Sequence, residues 1–155
     1  MNKQQLKKIM TKAQDICAHS GGRLTDKRKR ILEILLLSKT PLSAYEVADT
    51  YNKSSENAMP AMSAYRMLDF LESEELVHKL SSTNKYVACS HIACDHAHQI
   101  PQFLICGRCQ AVKEIGIAKH IVQELDAVIT NADYKLINPQ LELQCLCKAC
   151  SKLAE

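Results

Sequence analysis

A chain of 155 residues with 46% hydrophobic and 24% charged residues is ordinary globular composition for one domain or two small ones, and it excludes wholesale disorder. Eight cysteines fall below the density of a secreted disulfide scaffold, and four glycines with four prolines exclude collagen-like and proline-rich classes. The net charge of +3 is uneven, with +4 on residues 1–85 and −1 on residues 86–155, whereas seven cysteines and four histidines lie between Cys89 and Cys150.

Five Tyr, two Phe and no Trp leave few platforms for a binder that stacks single-stranded bases. The start, Met-Asn-Lys-Gln-Gln-Leu-Lys-Lys, leads into no apolar stretch, and no run approaches the ~20 apolar residues of a membrane span. The expectation is a cytoplasmic protein without a membrane partner. Thiols stay reduced there, so the cysteines point to metal or redox work.

Leu6, Ile9, Ala13, Ile16 and Cys17 follow helical spacing, which makes Cys17 a small core residue, and Gly21-Gly22 ends that helix. Thr25 is a plausible N-cap for a second helix through Ile31, Leu32, Leu35 and Leu36. Ser43 and Glu46 form a capping box that opens a third helix to about Asn52. Pro60 precedes a fourth, in which Ala64, Met67, Leu68 and Leu71 make the buried stripe. Tyr65, Arg66, Asp69 and Ser73 then face outward, and Ser63 is placed to cap the N-terminus. A short helix, a turn and a second helix with Ser, Tyr and Arg outermost is the arrangement of a helix-turn-helix reader. Ser63 with backbone N–H groups can hold a phosphate, and Arg66 can reach a guanine edge. Next, Leu76, His78 and Leu80 alternate with Val77 and Lys79; a turn at 81–84 and a second strand at 86–89 complete a hairpin, hence a winged helix.

Cys106-x2-Cys109 and Cys147-x2-Cys150 supply four thiolates as two knuckles, the pattern of a tetrahedral structural zinc site. A thioredoxin-like motif needs only one pair. A two-Cys, two-His finger fails because no second His follows His120, and a zinc deaminase lacks its His-x-Glu. Between the knuckles the pattern is strand (111–117), helix (Ile117, Ile121, Leu125, Val128) and a longer strand (134–146) broken at Asn138-Pro139. So small a core is usually supported by metal and dimerisation. A second, looser ligand set comprises His78, Cys89, His91, Cys94, His96, His98 and Glu114. A mixed S/N/O set with a thiolate suits zinc better than an iron site built from N and O.

Taken together these residues resemble the ferric uptake regulator family of bacterial repressors. The resemblance rests on Tyr65-Arg66-Met67-Leu68, on Leu76-Val77-His78-Lys79, on the Cys- and His-rich hinge and on the two Cys-x2-Cys pairs. Arg23-Leu24-Thr25, Ser43-Ala44-Tyr45, the segment 65–71, the segment 82–87 and Phe103-Leu104-Ile105-Cys106 are similar to its zinc-uptake-regulating branch. The resemblance implies an α+β protein with an N-terminal winged helix-turn-helix domain (1–83), a metal-ligand-rich hinge (84–100) and a small α/β dimerisation domain (101–155). It implies a zinc-responsive repressor, not an enzyme, that binds palindromic double-stranded operators as a homodimer and has no small-molecule substrate. At least two zinc ions per protomer are implied: a structural one at Cys106, Cys109, Cys147 and Cys150, and a sensing one at His78, Cys89, Glu114 and a hinge histidine. His98 fits the family's spacing better than His96. Tyr45 is implied to contact DNA with Ser63, Tyr65 and Arg66. The sequence departs from the family's usual Pro-Thr-Val-Tyr-Arg, having Met62-Ser63-Ala64-Tyr65-Arg66 instead. The rival readings are an iron or peroxide sensor of the same family, a thiol oxidoreductase, and a zinc-stapled interaction module.

Overall fold

The computed structural model describes residues 1–94 and 100–153. The elements run α1 (Lys3–His19), α2 (Asp26–Leu37), α3 (Ala44–Lys53), α4 (Ala61–Ser73), β1 (Val77–Leu80), β2 (Lys85–Ala88), β3 (Pro101–Cys106), β4 (Val112–Gly116), α5 (Lys119–Asn131), β5 (Glu142–Cys145) and α6 (Lys148–Ser151). They divide into two compact units, Met1–Cys94 and Asp95–Glu155. The first unit holds both strands of the hairpin.

In the first unit the expected stripes close on one core. Ala13 and Cys17 of α1, Ile31, Leu32 and Leu35 of α2, Ala44 and Val47 of α3, and Ala64, Leu68 and Leu71 of α4 are buried together. Burial pushes the Cys17 thiol pKa upward, with Glu74 adding to it, as fits an inert core residue. The α3 capping box forms as expected: Glu46 N–H donates to Ser43 Oγ (3.2 Å) and Ser43 N–H to Glu46 Oε2 (2.7 Å). Two caps differ from expectation. Thr25 is the α2 N-cap, yet its side chain makes no capping bond. Pro60, not Ser63, caps α4, and Ser63 lies inside the first turn with its N–H bonded to Pro60 O.

Other contacts fix α4 at its two ends. At the start, Asn52 embraces Met59, with Met59 N–H donating to Asn52 Oδ1 (2.6 Å) and Asn52 Nδ2 donating to Met59 O (3.2 Å). At the far end Ser20 Oγ donates to Glu74 (2.5 Å), and the Arg28 guanidinium stacks 3.5 Å from the centre of the Phe70 ring. Gly22 allows this approach, since a Cβ there would come within 3.0 Å of Glu74 and 3.2 Å of Phe70.

The hairpin pairs β1 and β2 antiparallel, Val77 opposite Ala88 and Leu80 opposite Lys85, around a turn with Asn84 at φ 51. The expected alternation in β1 is not kept: Leu76, Val77 and Leu80 are all fully buried. Tyr86 is enclosed too, and a bridge to Leu42 joins its strand to the segment before α3.

The second unit is a three-stranded sheet in the order β4-β3-β5, with β3 antiparallel to β4 and parallel to β5. The sequence reading did not anticipate β3, the central strand. The long strand expected over 134–146 shrinks to β5. Pro139 lacks a donor and Asn138 Oδ1 accepts from Gln140 N–H (3.0 Å), which turns the chain. The buried Gln102 side chain replaces a ladder there, donating to Pro139 O (3.0 Å) and accepting from Leu141 N–H (2.5 Å). α5 carries the expected Ile121, Leu125 and Val128 stripe but buries no residue, and Ile121 and Val128 are exposed.

Candidate metal centres and nucleic-acid interface

The parallel pairing of β3 with β5 sets Cys106 opposite Cys145. Both Cys-x2-Cys turns therefore leave the same end of the sheet. Gly107 N–H bonds Cys145 O (2.9 Å), Gln110 N–H bonds Cys106 O, and Arg108 Nη1 reaches Cys150 O (3.2 Å). The four sulfurs of Cys106, Cys109, Cys147 and Cys150 lie within 4.8 Å of one another. The Sγ atoms of Cys109 and Cys147 are 3.8 Å apart. A tetrahedral ion with bonds of about 2.3 Å to sulfur needs sulfur–sulfur edges of about 3.8 Å, whereas a disulfide needs about 2.05 Å.

The backbone prepares these sulfurs for a cation. N–H groups of Cys109, Cys147 and Arg108 aimed at its sulfur lower the Cys106 pKa to about 6. The Cys150 N–H lowers that of Cys147, while hydrogen bonding to Cys147 and burial raise Cys150 to about 12. The thiols thus share protons as one cluster, with negative charge favoured on the two sulfurs that face backbone donors. All four residues fit a zinc ion in geometry and in donor chemistry.

The wing supplies a second pair. His78 faces Val87 across the ladder, so Cys89, two residues on, is its diagonal neighbour on the same face. Their ligand atoms lie within 4.8 Å of each other. Cys89 is buried, its N–H bonds Leu76 O (2.9 Å), and its Sγ accepts from His91 N–H (3.4 Å). Cys94 N–H bonds His91 O, which closes a turn after the wing. Glu114 stands half-buried on β4 of the second unit, opposite Phe103. His96 and His98 lie outside the described residues.

The outer face of α4 holds Tyr65, half-buried, and Arg66, exposed, as expected. Tyr45, at the start of α3, is 63% exposed and meets Tyr65 edge-on with ring centres 6.1 Å apart. Lys85 of the wing pairs with Glu46 at 3.2 Å. Sequence reasoning did not single out Met62, which is 66% exposed on this same face. Extending the outward stripe one turn back from Arg66 would have found it.

The fold and the cysteine cluster define a class, and the sequence comparison agrees. Residues 19–144 match the ferric uptake regulator family, and the chain belongs to that family. Over 150 residues it is 34% identical to the zinc uptake regulation protein of Escherichia coli (strain K12), spanning 97% of this chain and 85% of that protein. A solved structure of a zinc uptake regulator complexed with zinc and DNA matches with a TM-score of 0.83 at 31% identity, covering 96% of this chain and 97% of that one. The crystal structure of holo XcZur matches with a TM-score of 0.77 at 31% identity, covering 92% and 96%.

Proposed function

We propose that this protein is a zinc-responsive transcriptional repressor of the cytoplasm that binds palindromic operators as a zinc-loaded homodimer and controls zinc uptake genes. The observation that carries the reading is one chain holding a helix-turn-helix with Tyr45 and Arg66 exposed, a four-cysteine cluster and the His78–Cys89 pair of the wing. Its likeness to the zinc uptake regulators, one of them solved with zinc and DNA, supports the same reading.

Cys106, Cys109, Cys147 and Cys150 hold a structural zinc that supports the small second unit. His78 and Cys89 of the wing, with Glu114 and His98 (or His96), make the sensing set. Zinc bound there supplies a cross-link of fixed geometry between ligands far apart in the chain. Cys89 must lose a proton and the histidines must be neutral to serve, so loading weakens as the pH falls. Ser63 and the first N–H groups of α4 hold a phosphate, Arg66 reads a guanine edge, and Tyr45 and Tyr65 pack beside the backbone. The uncovered stripe of α5 is the surface for a second copy, so that two α4 helices meet two half-sites.

The test is a DNA-binding titration with the full chain, using a duplex selected from a randomised pool, against buffered free zinc with a chelator control. Affinity should rise about 5- to 150-fold with zinc and fall again with chelator. Binding that ignores zinc, or failure to enrich any duplex, rejects the reading. Metal analysis should give at least two zinc ions per protomer, and iron in their place would favour an iron-responsive member of the family.

A further inference from the structure

Met62, Tyr65, Arg66, Asp69 and Ser73 are spaced i, i+3, i+4, i+7 and i+11 along α4, so they share one face opposite the buried Ala64, Leu68 and Leu71. Single exposed apolar residues are ordinary on protein surfaces, so the exposure of Met62 alone means little. Its position is what matters. The first two turns of α4 hold no acidic residue, and they carry Arg66. Asp69, Glu72, Glu74 and Glu75 all fall in the last two turns and just after, where they would repel phosphates. Charge therefore orients the helix with its N-terminal half toward a duplex, and Met62 stands at that end.

The chemistry of a thioether chain limits what it can read. It has no donor and only a weak acceptor, so it makes no directional bond to a base edge. What it can do is cover apolar surface, and the C5-methyl group of thymine is the apolar feature of the major groove. Tyr65 is less free to do so, since it is half-buried and held edge-on by Tyr45.

We propose that Met62 is a specificity-determining residue that reads a thymine methyl group at the DNA-facing end of α4. The inference rests on the repressor reading above. Four residues of helix span about 6 Å and a base step about 3.4 Å, so this thymine lies within about two base pairs of the guanine met by Arg66.

The experiment replaces each thymine of the selected duplex by deoxyuridine, which removes only the methyl group, and measures affinity for the zinc-loaded full chain. One thymine per half-site should weaken binding about fourfold when demethylated, the scale of one buried methyl group. Met62→Ala should bind the methylated and demethylated duplexes equally well at that position, while its response to every other thymine stays unchanged. Met62→Leu, apolar and similar in volume, should keep the dependence. Superimposable profiles for the natural chain and Met62→Ala overturn the proposal. A repressor that binds the duplex in a zinc-dependent way yet ignores every thymine methyl also overturns it, and leaves the repressor reading standing.

Discussion

Two single residues carry sharp expectations. Cys89 is buried and is a diagonal neighbour of His78, and its sulfur accepts the His91 N–H. Cys89→Ser should abolish zinc-dependent operator binding while circular dichroism and sedimentation still report a folded dimer; a melted first unit would make Cys89 structural instead. Tyr86 is 1% exposed, and the described residues offer its hydroxyl no hydrogen-bond partner. Burial, with Asp69 and Glu72 adding to it, pushes its pKa up to about 12. A raised folded-state pKa binds the proton more tightly than the unfolded chain does. The stability it confers is complete below the ordinary tyrosine value near 10 and is lost as the pH climbs toward 12. Alkaline unfolding followed by far-ultraviolet circular dichroism should therefore begin above pH 10, and Tyr86→Phe should move its onset upward. The same variant should be neutral to slightly stabilising at pH 7, by up to about 1 kcal/mol, because it removes a buried polar atom without partners.

Among elements, the turn between α3 and α4 is closed across its base by the Asn52 side chain. Asn52 uses both ends of its amide on Met59, as a neighbouring strand would use its backbone. Asn52→Ala should cost about 1–3 kcal/mol in denaturant unfolding, from two bonds of about 0.5–1.5 kcal/mol each. It should also lower the ratio of operator to random-duplex affinity with zinc content unchanged. Loss of both affinities in proportion would show that the turn does not aim the helix.

The helices were legible in the sequence because each carries a stripe at helical spacing and, in α3, a reciprocal cap. β3 was not, because Gln102 to Cys106 shows no alternation and its parallel partner, β5, is distant in the chain. The alternation at 134–146 misled for the opposite reason, since a local turn at Asn138 and the Gln102 amide claim backbone groups that a ladder needs. The four-cysteine cluster was legible from spacing alone. The closeness of His78 and Cys89 needed the hairpin register, which a one-residue slip would have reversed. The Ser63 hydroxyl suits a cap, yet the turn closed by Asn52 puts the N-cap at Pro60.

At the scale of the whole molecule the second unit is the more dependent one. Its sheet has three short strands, and its long helix α5 half-buries Val122, Leu125 and Ile129 but fully buries no residue. Ile121 and Val128 lie open, and Ile129 with Tyr134, Leu136 and Ile137 lines an open apolar groove of about 360 Å³. A surface of this kind fits a second copy of the chain. Val128→Asp should shift sedimentation from dimer to monomer and lose operator binding. A variant that stays dimeric would place the interface elsewhere.

The grip on α4 has a mechanical consequence. The helix is a beam clamped at both supports, by Asn52 on Met59 at one end and by Ser20, Gly22 and Arg28 on Glu74 and Phe70 at the other. A beam so held cannot be re-aimed by a gentle push on its middle. Its inclination is set by contacts inside the first unit, and those contacts must break before the helix can turn by itself. The stiffness that keeps Met62, Tyr65 and Arg66 in register thus hands all responsiveness to the joints outside it.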